Sequence, residues 1–115
     1  MKDYKFDLEV EGKKYSLAFT LNVMETIQDE YGSLQKWGEL TDGKSGEPNV
    51  KALVFSFTEM MNEAVEIENE ETSSEKPLFT KKQVARILTK IGLENAVKQL
   101  NTAIIESTKT DEKNA

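Results

Sequence analysis

Residues 4–20 read YKFDLEVEGKKYSLAFT, and this stretch decides the fold class. On both sides of Gly12 the apolar side chains alternate with charged or small ones, which is the period of a strand with one wet face. Gly12 supplies the positive φ that a tight turn between two strands requires. We therefore expect a β-hairpin over about 4–20. A lone hairpin is only marginally stable in water, so its apolar face must rest on other elements.

Beyond residue 20 the apolar spacing changes from that of a strand to that of a helix. Apolar stripes predict amphipathic helices over about 21–32, 50–68, 81–91 and 93–106. A shorter helical piece begins after Ser33, and a Gly-rich loop follows it. Since the strands precede the helices, we expect a single small α+β domain over 1–105, built from an N-terminal β-hairpin followed by three to four amphipathic α-helices. The polar residues 106–115 are expected to form a disordered tail.

The composition argues against several classes of function. The chain has 115 residues, a formal net charge of −6, no His and no Cys. The commonest general base near neutral pH and the usual zinc ligands are therefore missing, and we expect no catalytic residue, no cofactor and no metal. The acidic balance disfavours nucleic acids and anionic membranes as partners. The N-terminus does not read as a signal peptide and no apolar run can span a bilayer, which predicts a cytoplasmic protein.

One segment does match a catalytic pattern. Residues 38–45 read GELTDGKS and fit the phosphate-binding sequence G-x-x-x-x-G-K-[ST]. That sequence binds phosphate when a buried strand precedes it and a helix begins at its Lys. Here the preceding residues look helical, and Gly46 and Pro48 prevent a helix from continuing after Lys44. A solvated loop is therefore favoured, while a small nucleotide-dependent enzyme stays open as an interpretation.

Charged residues form two further groups. The acidic residues of 66–75 lack the spacing of a calcium loop, and we expect a solvated segment into which the long helix frays. On the next helix Lys82, Arg86 and Lys90 recur at every fourth position, opposite its apolar stripe. These cations are typical of a solvent-exposed face. They also suit an acidic partner or the chain's own acidic segment, although exposed ion pairs contribute only about 0–1 kcal/mol each.

The longest predicted helix has more apolar surface than one stripe explains. Phe55 lies well away from the middle of the stripe, Val65 widens it, and Met60 and Met61 lie near its centre. One interpretation is that the hairpin and the other helices cover both faces. The other is an apolar patch for a partner helix, for which Met side chains are well suited. Phe55, Met60, Met61 and Val65 are therefore candidate partner-binding residues.

The order of these elements and their residue patterns resemble those of a known group of proteins. The likeness extends over roughly residues 4–105 and is carried by three runs of residues, Phe6-x-Leu8-x-Val10-x-Gly12-Lys13-x-Tyr15, Leu21-x-Val23-Met24-x-x-Ile27-x-x-x-Tyr31-Gly32 and Leu93-Glu94-Asn95-Ala96-Val97. In these features the chain resembles the tail assembly chaperones of long-tailed bacteriophages and prophages. The resemblance implies a chaperone in the host bacterial cytoplasm. It would bind the long helical tape measure protein and keep it soluble until the tail tube forms around it.

Two alternatives stay open beside that expectation. One is a structural tail or head–tail joining component of a phage particle, which predicts a stable ring or inclusion in the virion. The other is the small enzyme, which predicts stabilisation of the fold by a nucleotide. Under any of these interpretations an unpaired hairpin edge would allow self-association with a second copy.

Overall fold

A computed structural model describes residues 4–44 and 46–113, with side chains described as far as residue 107. The hairpin strands β1 and β2 come first, and five helices follow within the described residues. The elements are β1 (Lys5–Val10), β2 (Lys13–Ala18), α1 (Leu21–Tyr31), α2 (Leu34–Thr41), α3 (Val50–Thr72), α4 (Lys81–Ile91) and α5 (Leu93–Lys113). None of these helices is both long enough and apolar enough to cross a membrane. The predicted α+β class is confirmed.

The hairpin has the register that its alternating sequence predicts. β1 and β2 are antiparallel, with Leu8 opposite Tyr15. Glu11 and Gly12 form the two-residue turn, with φ of 51° and 81°. Positive φ at both central residues is the turn geometry that matches the twist of the flanking strands. Leu8 and Leu17 are buried on the inner face while the charged residues of both strands are exposed.

Helix α3 is the centre of the domain, because it packs against β2, α1, α2, α4 and α5. Its N-terminus is capped by Asn49, whose side-chain oxygen accepts a hydrogen bond from the Ala52 N–H at 2.9 Å. Buried side chains of its first half, among them Leu53, Phe57 and Met61, belong to one continuous core. A helix with neighbours on most of its faces needs no broad polar side, which explains its weak amphipathic pattern.

Two asparagines of α3 fasten the linker that leads to α4. The Asn62 side chain accepts a hydrogen bond from the Phe79 N–H at 2.7 Å and donates one to the Phe79 carbonyl at 3.0 Å. Asn69 makes the same pair of bonds with Lys76, at 3.0 and 3.1 Å. The two asparagines lie about 10 Å apart along the helix axis, and an extended chain from Lys76 to Phe79 covers about the same distance. The linker therefore runs back antiparallel along α3.

Helix α3 is longer than the sequence predicts. The acidic segment was expected to fray after about residue 68, but the helix continues to Thr72. Contacts with the linker help to hold its last turns. The Lys76 ammonium lies 2.6 Å from the Glu68 carboxylate, and Asn69 is bonded to the linker beside it. The linker thus supplies the packing that the acidic sequence lacks by itself.

The expected disordered tail over 106–115 is wrong as far as Lys113, because α5 continues to that residue. Ser107 is fully buried, so α5 is still packed against the rest of the domain at that position, and the Ser107 hydroxyl is satisfied within the helix by the Ile104 carbonyl at 2.9 Å. Once a helix is anchored in this way, each added residue gains a backbone hydrogen bond without a new nucleation cost. Polar residues can therefore prolong α5 without an apolar stripe. Residues 114–115 of the predicted tail lie outside the described residues.

Candidate partner-binding site

The four residues named from the sequence do not form one surface. Met60 and Met61 are fully buried in the core, so the prediction that they contact a partner is wrong. They lie in the part of α3 that the hairpin and the other helices surround, which an apolar stripe does not reveal. Phe55 and Val65 are half-buried and keep part of their surface accessible.

Phe55 is already engaged by its own domain. Its ring meets the Tyr31 ring edge-on, with centroids 5.6 Å apart and an interplanar angle of 82°. The Lys81 ammonium lies 5.7 Å from the centroid of the same ring. Contacts of these two kinds are each worth about 1 kcal/mol. The interpretation in which α1 and α4 cover this face of α3 therefore accounts for Phe55.

One turn after Phe55, α3 presents the carboxylates Glu59, Glu63 and Glu66 on one face. The pKa of Glu59 is raised by burial and by the nearby Glu66 carboxylate, while the Lys81 ammonium opposes the rise. Glu63 is tied to α1 through hydrogen bonds from the Thr20 hydroxyl and the Asn22 amide. Over the described part of the chain, no group of three or more acidic side chains is arranged to hold a metal ion. Burial, reinforced by the neighbouring carboxylates, thus raises the pH at which Glu59 gains its proton.

An accessible apolar surface lies at the end of the bundle where α3 begins and α4 meets α5. It consists of two adjoining depressions of about 320 and 470 Å³ that share Leu93 as a common wall. We call this surface the Leu93 groove. Its apolar side chains are Val50, Leu53, Val54, Ala85, Leu88, Leu93 and Ala96 in the first depression, with Pro48, Leu93 and Val97 in the second.

Helix geometry explains why the groove is open. Val50 and Leu93 are the first residues of α3 and α5, and they are 55% and 43% exposed. The Cα–Cβ bonds of a helix tilt toward its N-terminus, so side chains of the first turn project beyond the helix end. Beneath them Leu53 and Leu88 are buried and form the floor. The groove therefore presents apolar side chains to solvent above a packed core.

The walls of the groove are suited to contact with another protein. Among the described residues lining the first depression, the one polar side chain is Thr89, whose hydroxyl donates to the Ala85 carbonyl at 2.7 Å. The second depression is bordered by Asp42 and by the exposed pair Lys98–Glu94, which lie 3.7 Å apart. An apolar centre with a polar rim is the usual anatomy of a protein–protein interface.

The segment that matches a phosphate-binding loop lacks the surroundings that this loop requires. Its first residues belong to α2, where a strand is needed, and the next helix begins at Val50 rather than at Lys44. The Lys44 N–H donates to the Asp42 carboxylate at 2.8 Å, so this amide is occupied and a negative charge lies beside it. Ser45 lies outside the described residues. A cradle of free amides at a helix N-terminus is therefore not formed by residues 38–44.

Comparisons of the chain with protein-family models, with curated protein sequences and with solved structures give no match.

Proposed function

We propose that this chain is a tail assembly chaperone of a long-tailed phage or prophage, which binds the helical tape measure protein in the host cytoplasm and keeps it soluble. The observation that carries the proposal is the Leu93 groove, an open pair of apolar depressions on a domain whose net charge is −6. The likeness of the hairpin and the helices to this family supports the same function.

An amphipathic helix of the client fits the groove in shape and chemistry. Apolar side chains three or four positions apart on one helix face lie about 5–6 Å from each other. Two of them can therefore enter the two depressions on either side of Leu93. The apolar area that they cover stabilises the complex by about 25 cal/mol per Å², from which the cost of association is subtracted.

The rest of the domain supplies solubility. A net negative charge keeps proteins dispersed, so a client coated with this chain acquires an acidic surface in place of its apolar seam. The groove is small, and a small interface binds with modest affinity. Modest affinity suits a chaperone that must leave when the polymerising tail tube replaces it on the client.

Co-expression tests the proposal. The chain is co-expressed with the long helical protein encoded by the neighbouring open reading frame, and the soluble fraction and the pull-down are measured. We expect wild type to keep the long protein soluble and to co-purify with it, and Leu93→Glu to lose both effects because it places a charge between the two depressions.

Leu21→Glu is the matched control. Leu21 is 71% exposed and lies outside the groove, so L21E adds the same charge at another helix start and should bind as wild type does. Circular dichroism verifies that both variants are folded. A long protein that precipitates equally with and without this chain would refute the chaperone function and favour a structural component. Wild-type binding by L93E would place the client on another surface.

A further inference from the structure

A separate depression of about 320 Å³ lies between the hairpin and α4. It is on a different face of α4 from the Leu93 groove. We call it the cationic cleft. The side chains that carry the argument are Lys13, Tyr15, Phe79, Gln83, Arg86 and Lys90. Among the side chains that the structure describes, no carboxylate lines it, although the chain as a whole has more acidic than basic residues.

Two aromatic rings form the floor of the cationic cleft. Tyr15 and Phe79 meet edge to face, with centroids 6.1 Å apart and an interplanar angle of 70°. The Lys13 ammonium lies 5.3 Å from the Tyr15 centroid. The backbone of Phe79 is fixed by two hydrogen bonds with the Asn62 side chain, one accepted and one donated by Asn62. The floor is thus held in place before any ligand arrives, which lowers the ordering cost of binding.

The cations around this floor are only weakly neutralised. Lys90 faces Glu11 at 3.8 Å, and both side chains are more than half exposed, so the pair contributes little. Among the side chains that the structure describes, Arg86 has neither a carboxylate partner nor a hydrogen bond. Within the acidic segment, Glu68 and Glu71 pair with Lys76 and Lys5 instead. A planar guanidinium therefore stands free beside an aromatic floor.

We propose that the cationic cleft binds an acidic peptide segment of a partner protein. A carboxylate of the segment pairs with Arg86, whose guanidinium can donate two parallel hydrogen bonds to it. An aromatic or apolar neighbour of that carboxylate lies against Tyr15 and Phe79. A short peptide fits better than a nucleic acid, because a long polyanion would meet the acidic remainder of the domain.

Fluorescence polarisation of the full chain with a labelled peptide tests the proposal, which does not depend on the Leu93 groove or on the proposed function. The probe is a peptide of Glu residues around one Phe. We expect saturable binding that is lost when Gln replaces every Glu and weakened when Ala replaces the Phe. Arg86→Glu should reduce the affinity at least about tenfold, since hydrogen bonds to charged groups contribute about 1.5–3 kcal/mol.

Lys36→Glu is the matched control, because it makes the same charge reversal at an exposed helix position that does not line the cleft, whereas a Glu at position 82 would pair with Arg86 one turn away. It should weaken binding only about twofold, as expected for an exposed charge. Circular dichroism verifies the fold of both variants. Equal losses in the two variants, equal binding of the Gln peptide, or no binding of the Glu peptide would overturn the proposal. Equally tight binding of an oligothymidylate of the same length would also overturn it, in favour of a nucleic acid.

Discussion

Replacing Asn62 by Ala removes both hydrogen bonds that hold the linker to α3 at Phe79. A hydrogen bond of this kind contributes about 1 kcal/mol net, and a partner left unpaired costs more when it is shielded from water. Because both bonds are part-buried, we expect N62A to lower the free energy of unfolding by about 2 kcal/mol. That is a large share of the ~5–15 kcal/mol that stabilises a domain.

Denaturation followed by tryptophan fluorescence measures the change, since Trp37 is the sole Trp of the chain and is 2% exposed. The midpoint should fall while the denaturant slope stays the same, because the surface exposed on unfolding hardly changes. Asn69→Ala is the control, as it removes the equivalent pair of bonds with Lys76 from an exposed site, together with one long bond of 3.3 Å from the Ser74 hydroxyl, which keeps Thr72 as a partner. It should cost less than about 1 kcal/mol. Equal losses in N62A and N69A would refute the reasoning that burial sets the value of the pair.

Three further outcomes are expected. Ser56→Ala removes the acceptor that lies 2.5 Å from the buried Trp37 indole nitrogen, and we expect it to lower the free energy of unfolding by about 1–3 kcal/mol. Thr89→Ala removes an exposed hydrogen bond and should cost under about 0.5 kcal/mol in the same denaturation assay. Glu59→Gln stabilises the fold at pH 7, because the folded wild type binds a proton at Glu59 more tightly than the unfolded chain does. The difference in stability between E59Q and wild type shrinks as the pH falls through the raised pKa of Glu59 toward the ordinary value of 4.5. Mg-ATP leaves the unfolding midpoint unchanged, since residues 38–44 form no phosphate cradle.

Each of these outcomes has a result that contradicts it. Equal losses in S56A and T89A would show that the buried indole N–H finds another partner. If E59Q is less stable than wild type at pH 7, the Glu59 carboxylate is stabilised by its surroundings and the direction of its pKa shift is wrong. A rise of the midpoint with Mg-ATP that Lys44→Ala abolishes would restore the enzyme interpretation.

Elements with one buried and one solvent-exposed face could be predicted from the sequence. The hairpin alternates around Gly12, and α4 carries one apolar stripe after a capping box in which Thr80 and Gln83 bond each other's backbone N–H groups. Both elements lie where periodicity and turn chemistry place them. The helical ends of α3 and α5 lie beyond the predicted bounds, because contacts with the linker hold the end of α3 and because α5 propagates past the buried Ser107 without local apolar residues.

The candidate site was harder to predict than the fold. Periodicity predicts on which face of its helix a side chain lies, but it does not predict which other elements cover that face. Met60 and Met61 are therefore candidates although they lie in the core, whereas Val50 and Leu93, which line the groove, are not among the candidates. Only the position of the latter two at helix starts signals their exposure. The contacts of Asn62 were invisible because its partners are backbone atoms seventeen positions away.

The central position of α3 links binding to hydrogen exchange throughout the core. Because α3 contacts β2 and every other helix, its middle turns cannot open to solvent unless the core comes apart. Amide exchange around Phe57 therefore reports the free energy of unfolding of the whole domain. Val50 starts the same helix and lies in the Leu93 groove. A client that binds only the folded chain slows exchange in these middle turns by mass action, so the core of α3 itself reports whether the groove is occupied.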